Sequence, residues 1–298
     1  MRMFESIIAN VIFQKLLGRP DISQAYKMVP KTDSWYDTIQ KVHDSLAEIQ
    51  TLPHEEWQVH SNDGLTLRGV YYPGGADSNV TVVCIHGYTS HAEREWAFPG
   101  LFYHSLGYNV LIPYQRAHGK SQGKYISFGP MEAKDMAVWI EKINRTHPDG
   151  KVIVHGLSMG GGIALLTLEK ELPGVACVIA DAPSDGVCRF FENVIREQGL
   201  PHPQKLLAAC IKKYKRTFGI DPQTVSVGAA VANAKYPLLL AAGSNEHYEG
   251  FFEELKAQNP QPTEVVILPG CNHGNGMYKQ TELFQSAIRE FVQKAIET

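Results

Sequence analysis

No run of apolar residues in this sequence is long enough to cross a bilayer, and no excess of basic charge marks it for nucleic acid. Lysine and arginine number 28 against 31 aspartates and glutamates, a formal net charge of −3. The field that would draw a polyanion is missing. The apolar runs stop well short of the ~20 residues that a spanning helix needs. Cysteine is scarce and unpatterned: Cys84, Cys177, Cys188, Cys210 and Cys271 are odd in number, scattered and free of any C-x-x-C. That argues against a disulfide framework and fits free thiols in a reducing compartment. Three of them stand in apolar surroundings (V-V-C-I, V-A-C-V and A-A-C-I), the pattern of buried thiols. The histidines form no H-E-x-x-H and no paired H-x-H, so no metal site is expected.

What remains is the composition of an ordinary soluble globular chain, 298 residues with 44% hydrophobic and 20% charged, room for one large domain or two modest ones. The N-terminal stretch M-R-M-F-E-S-I-I-A-N-V-I-F-Q-K-L-L-G-R starts like a signal peptide with Arg2. Glu5, Asn10, Gln14 and Lys15 interrupt it, however, and no small-x-small cleavage site follows. Phe4, Ile7, Ile8, Val11, Ile12 and Leu16 fall at helical spacing, which predicts an amphipathic helix packed on the body in preference to a membrane-surface anchor. The expectation is a cytoplasmic protein without stable membrane insertion, monomer or homodimer.

A second helix is expected over residues 34–50, with Ile39, Val42, Leu46 and Ile49 on one face. The period then changes. E-W-Q-V-H-S and L-T-L-R-G-V-Y-Y flank N-D-G, a hairpin signal. V-T-V-V-C-I, Y-N-V-L-I-P, K-V-I-V-H, V-A-C-V-I-A, P-L-L-L-A-A and E-V-V-I-L-P follow as continuous apolar runs, suited to parallel strands buried on both faces. Helical stretches alternate with them, one opened by Gly129-Pro130 and one near the C-terminus with Thr281 as N-cap and Phe284, Ile288 and Phe291 on one side. The fold class is α/β, a mostly parallel central sheet with helices on both faces. Roughly fifty residues between Asp181 and Pro237 lack a clear strand, too long for an ordinary connection, and read as an inserted helical cap at about 184–236. The division is an N-terminal helical extension over 1–52 and the main domain over 53–298.

The stretch K-V-I-V-H-G-L-S-M-G-G-G-I-A-L-L, residues 151–166, carries the chemistry. A strand-to-helix turn lifts its central residue above the carboxyl ends of a parallel sheet. A strained turn there needs neighbours without bulk, which Gly156 and Gly160 supply, while Gly161 and Gly162 let the helix lie close to the sheet. A phosphate loop would need a lysine that is absent. Ser158 is therefore read as a nucleophile.

A serine hydroxyl needs a base to take its proton. His273, in L-P-G-C-N-H-G-N-G after the last strand, has the position and the flanking glycines for it. An acid must hold the imidazole's tautomer. Glu246 is the first carboxylate after P-L-L-L-A-A-G, and Asp181, at the end of V-A-C-V-I-A, is the alternative. Developing negative charge calls for backbone N–H donors. Met159 follows the serine directly, and the turn at His86-Gly87 lets the Tyr88 N–H point into the same place. His86 itself is read as structural.

C-I-H-G-Y, G-L-S-M-G-G and C-N-H-G, in that order, resemble the α/β-hydrolase superfamily from about residue 55 onward. The pattern is similar to compact bacterial carboxylesterases, cinnamoyl (feruloyl) esterases among them, with a short helical cap. The resemblance implies an α/β-hydrolase fold, a catalytic Ser158, Glu246 and His273, and an oxyanion hole from Tyr88 and Met159. Two departures stand out. Glu246 replaces the aspartate of a G-x-x-D pattern, and P-Y-Q-R-A-H-G-K-S-Q-G (113–123) has Tyr114 and Ala117 where the family's D-x-R-G-H-G-x-S has aspartate and glycine. That loop and its His118 are read as structural.

The expected function is cofactor-free hydrolysis of a small-molecule carboxylic ester through an acyl-enzyme, with no nucleic-acid partner. An amidase, peptidase or thioesterase with the same triad, or a non-catalytic ligand-binding protein, are the alternatives. Phe190, Phe191, Tyr214 and Phe218 of the cap are candidate pocket walls; the substrate-binding residues are otherwise open.

Overall fold

The apolar runs become strands because β-branched residues buried on both faces fit a sheet covered by helices. The computed structural model describes residues 2–33, 35–76 and 78–297, with side chains from Glu5 onward. In chain order, α1 (Arg2–Leu17) and α2 (Tyr36–Ile49) precede the hairpin β1 (Glu55–His60) and β2 (Thr66–Tyr72). There follow β3 (Val80–Ile85), α3 (Ala92–Ser105), β4 (Asn109–Pro113), α4 (Pro130–Thr146), β5 (Lys151–Leu157), α5 (Met159–Thr167) and β6 (Val175–Asp181). Three helices, α6 (Val187–Glu197), α7 (Pro203–Phe218) and α8 (Val227–Ala232), fill the interval before β7 (Leu238–Gly243). The chain continues through α9 (Glu249–Gln258), β8 (Thr263–Leu268), α10 (Gly276–Lys279) and α11 (Thr281–Ile296).

Among the described residues eight strands form one sheet in the order β1-β2-β4-β3-β5-β6-β7-β8. β3 to β8 run parallel, while β1 and β2 are antiparallel, with Glu55 opposite Tyr71 and β2 against β4. Successive residues of a strand face opposite ways, and both faces are covered. Val83, Ile85, Val152 and Val154 join Trp139 of α4 and Ile163 of α5. Val82, Cys84 and Ile153 join Trp96 of α3 and Phe284 and Ile288 of α11. Cys84, Cys177 and Cys210 are buried free thiols, as their surroundings suggest.

Two local expectations change. Of the expected stripe of α1, Ile12 is buried and Ile8 and Leu16 pack half-buried on the core, but Ile7 and Val11 are 57% and 59% exposed, and Ala9, Phe13 and Leu17 are buried in addition. Periodicity offered neighbouring stripes, and α7 with the 125 loop selects one. Phe13 meets Tyr125 and Phe218 with ring centroids 5.4 and 6.3 Å apart. The side chain of Phe4, another expected member of the stripe, lies outside the described residues. Thr281 is the first residue of α11, not its N-cap; its hydroxyl donates back to the Met277 carbonyl at 2.9 Å.

The 113–123 loop is held by contacts of its own residues. Ala117 sits at φ +60, where glycine is the easier residue. The buried Tyr114 hydroxyl donates to Glu93 of α3. Arg116, 3% exposed, makes two hydrogen bonds to Asp135 of α4, both 2.7 Å, and two to Asp63 of the hairpin turn, 2.9 and 3.0 Å. One guanidinium thus ties loop, helix and hairpin together. Arg116→Ala should strand the Asp135 carboxylate in the core and lower stability by about 3–5 kcal/mol, read as a shift of the urea midpoint. An unchanged midpoint would show that the network is not structural.

Candidate active site

Ser158 occupies the turn from β5 into α5 with φ +59 and ψ −117, a backbone few non-glycine residues adopt. The turn is held tightly enough to keep it. A Cβ on Gly156 would lie 2.0 Å from the Gly160 carbonyl oxygen, and one on Gly160 would lie 2.0 Å from the Ile85 carbonyl oxygen. The Ser158 N–H donates to the Asp181 carbonyl at 2.8 Å, and the Ser158 carbonyl accepts from Gly162 and Ser184, each at 3.0 Å.

The loops after β7 and β8 are laced to each other. Ser244 N–H donates to Leu268 O (3.0 Å), Asn245 N–H to Cys271 O (3.2 Å), and the Asn245 side chain to Asn272 Oδ1 (2.9 Å). Glu246 folds back so that its Oε1 accepts the Gly243 N–H at 3.1 Å, which takes up the extra methylene relative to aspartate. Its Oε2 then lies 2.5 Å from His273 Nδ1, and His273 Nε2 lies 2.8 Å from Ser158 Oγ. With Glu246 accepting at Nδ1, the proton sits there and Nε2 is free to accept from the serine. The Glu246 carboxylate holds the His273 pKa above its ordinary value against the opposing effect of burial, with Asp181 and Glu95 adding to it.

Asp181 is at hand but differently placed. Its carboxyl, 7% exposed, makes no hydrogen bond among the described residues, and burial pushes it up to about 7. Of the two carboxylates weighed from the sequence, the one in contact with the imidazole is Glu246.

The β3–α3 turn brings Tyr88 to the serine. Gln115 N–H donates to His86 Nε2 at 3.1 Å, so His86 carries its proton on Nδ1 and donates it to the Gly87 carbonyl at 2.9 Å. In a trans peptide the next N–H points opposite to that carbonyl, which fixes the direction of Tyr88 N–H. Neither Tyr88 N–H nor Met159 N–H has an acceptor among the described residues. His86 is fully buried, and burial holds its pKa well below its ordinary value. His118 is buried beside it, ring centroids 4.6 Å apart, with Nδ1 on the Arg116 carbonyl.

Beside this group Tyr88, Phe128 and Phe190 form an aromatic wall, Phe128 and Phe190 stacked at 4.6 Å and Tyr88 edge-on to Phe190 at 5.0 Å. Phe128, Phe190, Tyr248 and Phe251 line a cavity of about 530 Å³ that reaches Glu246. The other aromatic candidates of the inserted helices are not at the site. Phe191 and Tyr214 are fully buried, Tyr214 donating to the Ser127 carbonyl, and Phe218 packs on Phe13 of α1. Their helical spacing is that of a core stripe. Glu95, Tyr26 and Phe128 also surround the site and were not legible in the sequence. An acid in a helix reads as a solvated charge unless its partners are known. Among the described residues no three His, Cys, Asp or Glu side chains gather where a metal could sit, and no helix is long and apolar enough to cross a membrane.

The fold has known counterparts. The family described as serine aminopeptidase, S33, matches residues 76–231. YqkD of Bacillus subtilis (strain 168), an uncharacterized protein, is 25% identical over 254 residues, 84% of this chain and 83% of that one. A structure of the Pyrococcus furiosus esterase Pf2001 is similar with a TM-score of 0.66 at 23% identity, over 94% of this chain and 98% of that one. Est1E from Butyrivibrio proteoclasticus, solved with ferulic acid bound, gives 0.64 at 20% identity, over 81% and 100%. At these identities the solved structures establish the fold, and the family match covers more than half of the sequence. The chain belongs to the serine aminopeptidase S33 family and is an α/β-hydrolase.

Proposed function

We propose that this hydrolase cleaves carboxylic esters through an acyl-enzyme, with Ser158 as nucleophile, His273 as general base and acid, and Glu246 as the carboxylate that orients the imidazole. The observation that carries the reading is the His273 ring bridging Ser158 Oγ and Glu246 Oε2 at 2.8 and 2.5 Å. Ser158 Oγ adds to the acyl carbonyl as its proton passes to Nε2. The carbonyl oxygen, now negative, is received by the Tyr88 and Met159 N–H groups, each contributing roughly 2.7–4 kcal/mol in such sites. The imidazolium then protonates the leaving alcohol, and water repeats the sequence to release the acid and restore the serine. Only the chain's own groups and water take part.

The inserted helices act as a cap over residues 184–236, and Phe190 brings the aromatic wall to the acyl side. A cavity of about 530 Å³ falls within the ~300–1,000 Å³ usual for ligand pockets. Its aromatic side, Phe128, Phe190, Tyr248 and Phe251, would take an aromatic or medium-length acyl group, while Asp185, Arg189 and Asn193 make the opposite lining polar. The family's description favours a second reading, cleavage of an amino-terminal peptide bond. An α-ammonium would need a carboxylate open to it beside the serine; Asp181 and Glu95 are the candidates, and both are buried, 7% and 4% exposed, and absent from the cavity wall. Equal assays on p-nitrophenyl esters and aminoacyl p-nitroanilides separate the two.

Ser158→Ala should lower kcat on p-nitrophenyl butyrate by about 10⁶ and Glu246→Gln by about 10⁴. Asp181→Asn should keep most of the activity. A folded Ser158→Ala protein that still turns over would sink the mechanism, and a crippled Asp181→Asn beside an active Glu246→Gln would exchange the acids.

The His273 pKa also sets a pH profile. The imidazole must be neutral to accept the proton, so kcat/KM rises with pH through an acid limb above the ordinary imidazole value of about 6.5. Glu246→Gln removes the largest cause of the upward shift, and its residual activity should titrate at lower pH. A limb that stays in place would mean that another group governs it.

Phe190→Ala should flatten the chain-length profile across p-nitrophenyl acetate to decanoate. A wild-type profile that is already flat would count against a defined acyl pocket.

A further inference from the structure

Glu95 lies in the first turn of α3, 4% exposed, and no cation is among its hydrogen-bond partners. A buried carboxylate without a countercharge is costly and survives where other donors hold it. Its Oε1 accepts the Gly87 N–H at 2.7 Å, and its Oε2 accepts the Tyr26 hydroxyl at 2.9 Å. Gly87 is the residue before Tyr88. A Cβ placed there would be 3.3 Å from Glu95 Oε2 and 3.5 Å from the Ser158 Cβ. The carboxylate and the serine therefore close on the same glycine from two sides.

Tyr26 is itself held under strain. Its φ is +54, a left-handed backbone that a bulky residue adopts at a cost of about 1–3 kcal/mol. His43 of α2 fixes it there, Nε2–H donating to the Tyr26 carbonyl at 2.8 Å. Arg94 donates to the neighbouring Ala25 carbonyl at 2.8 Å, and the Tyr88 hydroxyl donates to Leu16 O at 2.6 Å. Residues 16–26 thus hold the Gly87–Tyr88 turn at the Tyr88 side chain and at the helix that follows, and reach its backbone through Glu95.

We propose that Glu95 and Tyr26 are positioning residues for the oxyanion hole, and that the segment 16–26 is a working part of the active site; this rests on the ester-hydrolase reading above. Glu95 sets the peptide plane before Gly87, and His86 sets the plane after it, so the Tyr88 N–H is aimed from both sides. Tyr26 in turn keeps the Glu95 carboxylate from rotating away from Gly87. A donor aimed at a charge that exists only in the transition state alters kcat more than substrate binding.

The test compares wild type, Tyr26→Phe, Glu95→Gln, the double variant and Ser158→Ala on p-nitrophenyl butyrate. kcat, KM, melting temperature and fluorophosphonate labelling are measured for each. Each single variant should lower kcat about ten-fold, the effect of a misaimed donor and less than that of a deleted one, with KM within about two-fold. The double variant should be no slower than Glu95→Gln alone, since Tyr26 acts through Glu95. Tyr26→Phe removes one oxygen and keeps the ring, so it decides the matter if Glu95→Gln does not fold. Unchanged kcat in a folded Tyr26→Phe protein overturns the proposal, as does a rise confined to KM or full additivity in the double variant. If wild type turns over and Ser158→Ala does not, such results fall on this inference alone. A wild type that neither cleaves the ester nor takes the label overturns the ester reading and this inference with it.

Discussion

The left-handed turn at Ser158 is the constraint from which the site is built. No favourable local preference puts a serine at φ +59; the surrounding backbone does. β3 and β5 approach α5 so closely that Gly156 and Gly160 have no room for a methyl group, and Asp181 anchors the serine's own N–H. The turn cannot relax without separating strands at the centre of the sheet. The hydroxyl is thereby lifted beyond the strand ends, where the β3, β6, β7 and β8 loops converge.

Electrostatics then distinguish three acids around one imidazole. Glu246 alone hydrogen-bonds His273, while Asp181 and Glu95 act on it through space and all three push its pKa the same way. Burial raises the pKa of both Asp181 and Glu95. Glu246 is the acid whose contact at Nδ1 sets the tautomer of the ring.

The parallel part of the sheet was readable because its strands are short, nearly continuous apolar runs, most of them rich in valine and isoleucine. The three loops could be placed in order for the same reason, since each follows a strand that could be located. α3 was not assigned: its apolar residues lie all round its circumference and Pro99 sits inside it, so it shows no one-sided period. The buried stripe of α1 was placed only in part, because two neighbouring stripes are similarly apolar and α7 with the 125 loop decides between them. Phe191 and Tyr214 looked like pocket walls because an aromatic at helical spacing reads the same in a core as in a cleft. Glu95 shows the limit most clearly. Its partners lie 8 and 69 residues away, and nothing local marks it off from Glu93.

α1 has one further consequence. At its middle, Phe13 packs on Phe218 of α7. At its end, the Leu16 carbonyl holds Tyr88, and Leu17 to Arg19 bond with the 124–126 strand-like segment. A helix pinned at both places links the inserted helices to the β3–α3 turn through one rigid element, because well-packed interiors compress very little. The packing of α7 and the backbone of the β3–α3 turn are thus tied to a single element of the chain.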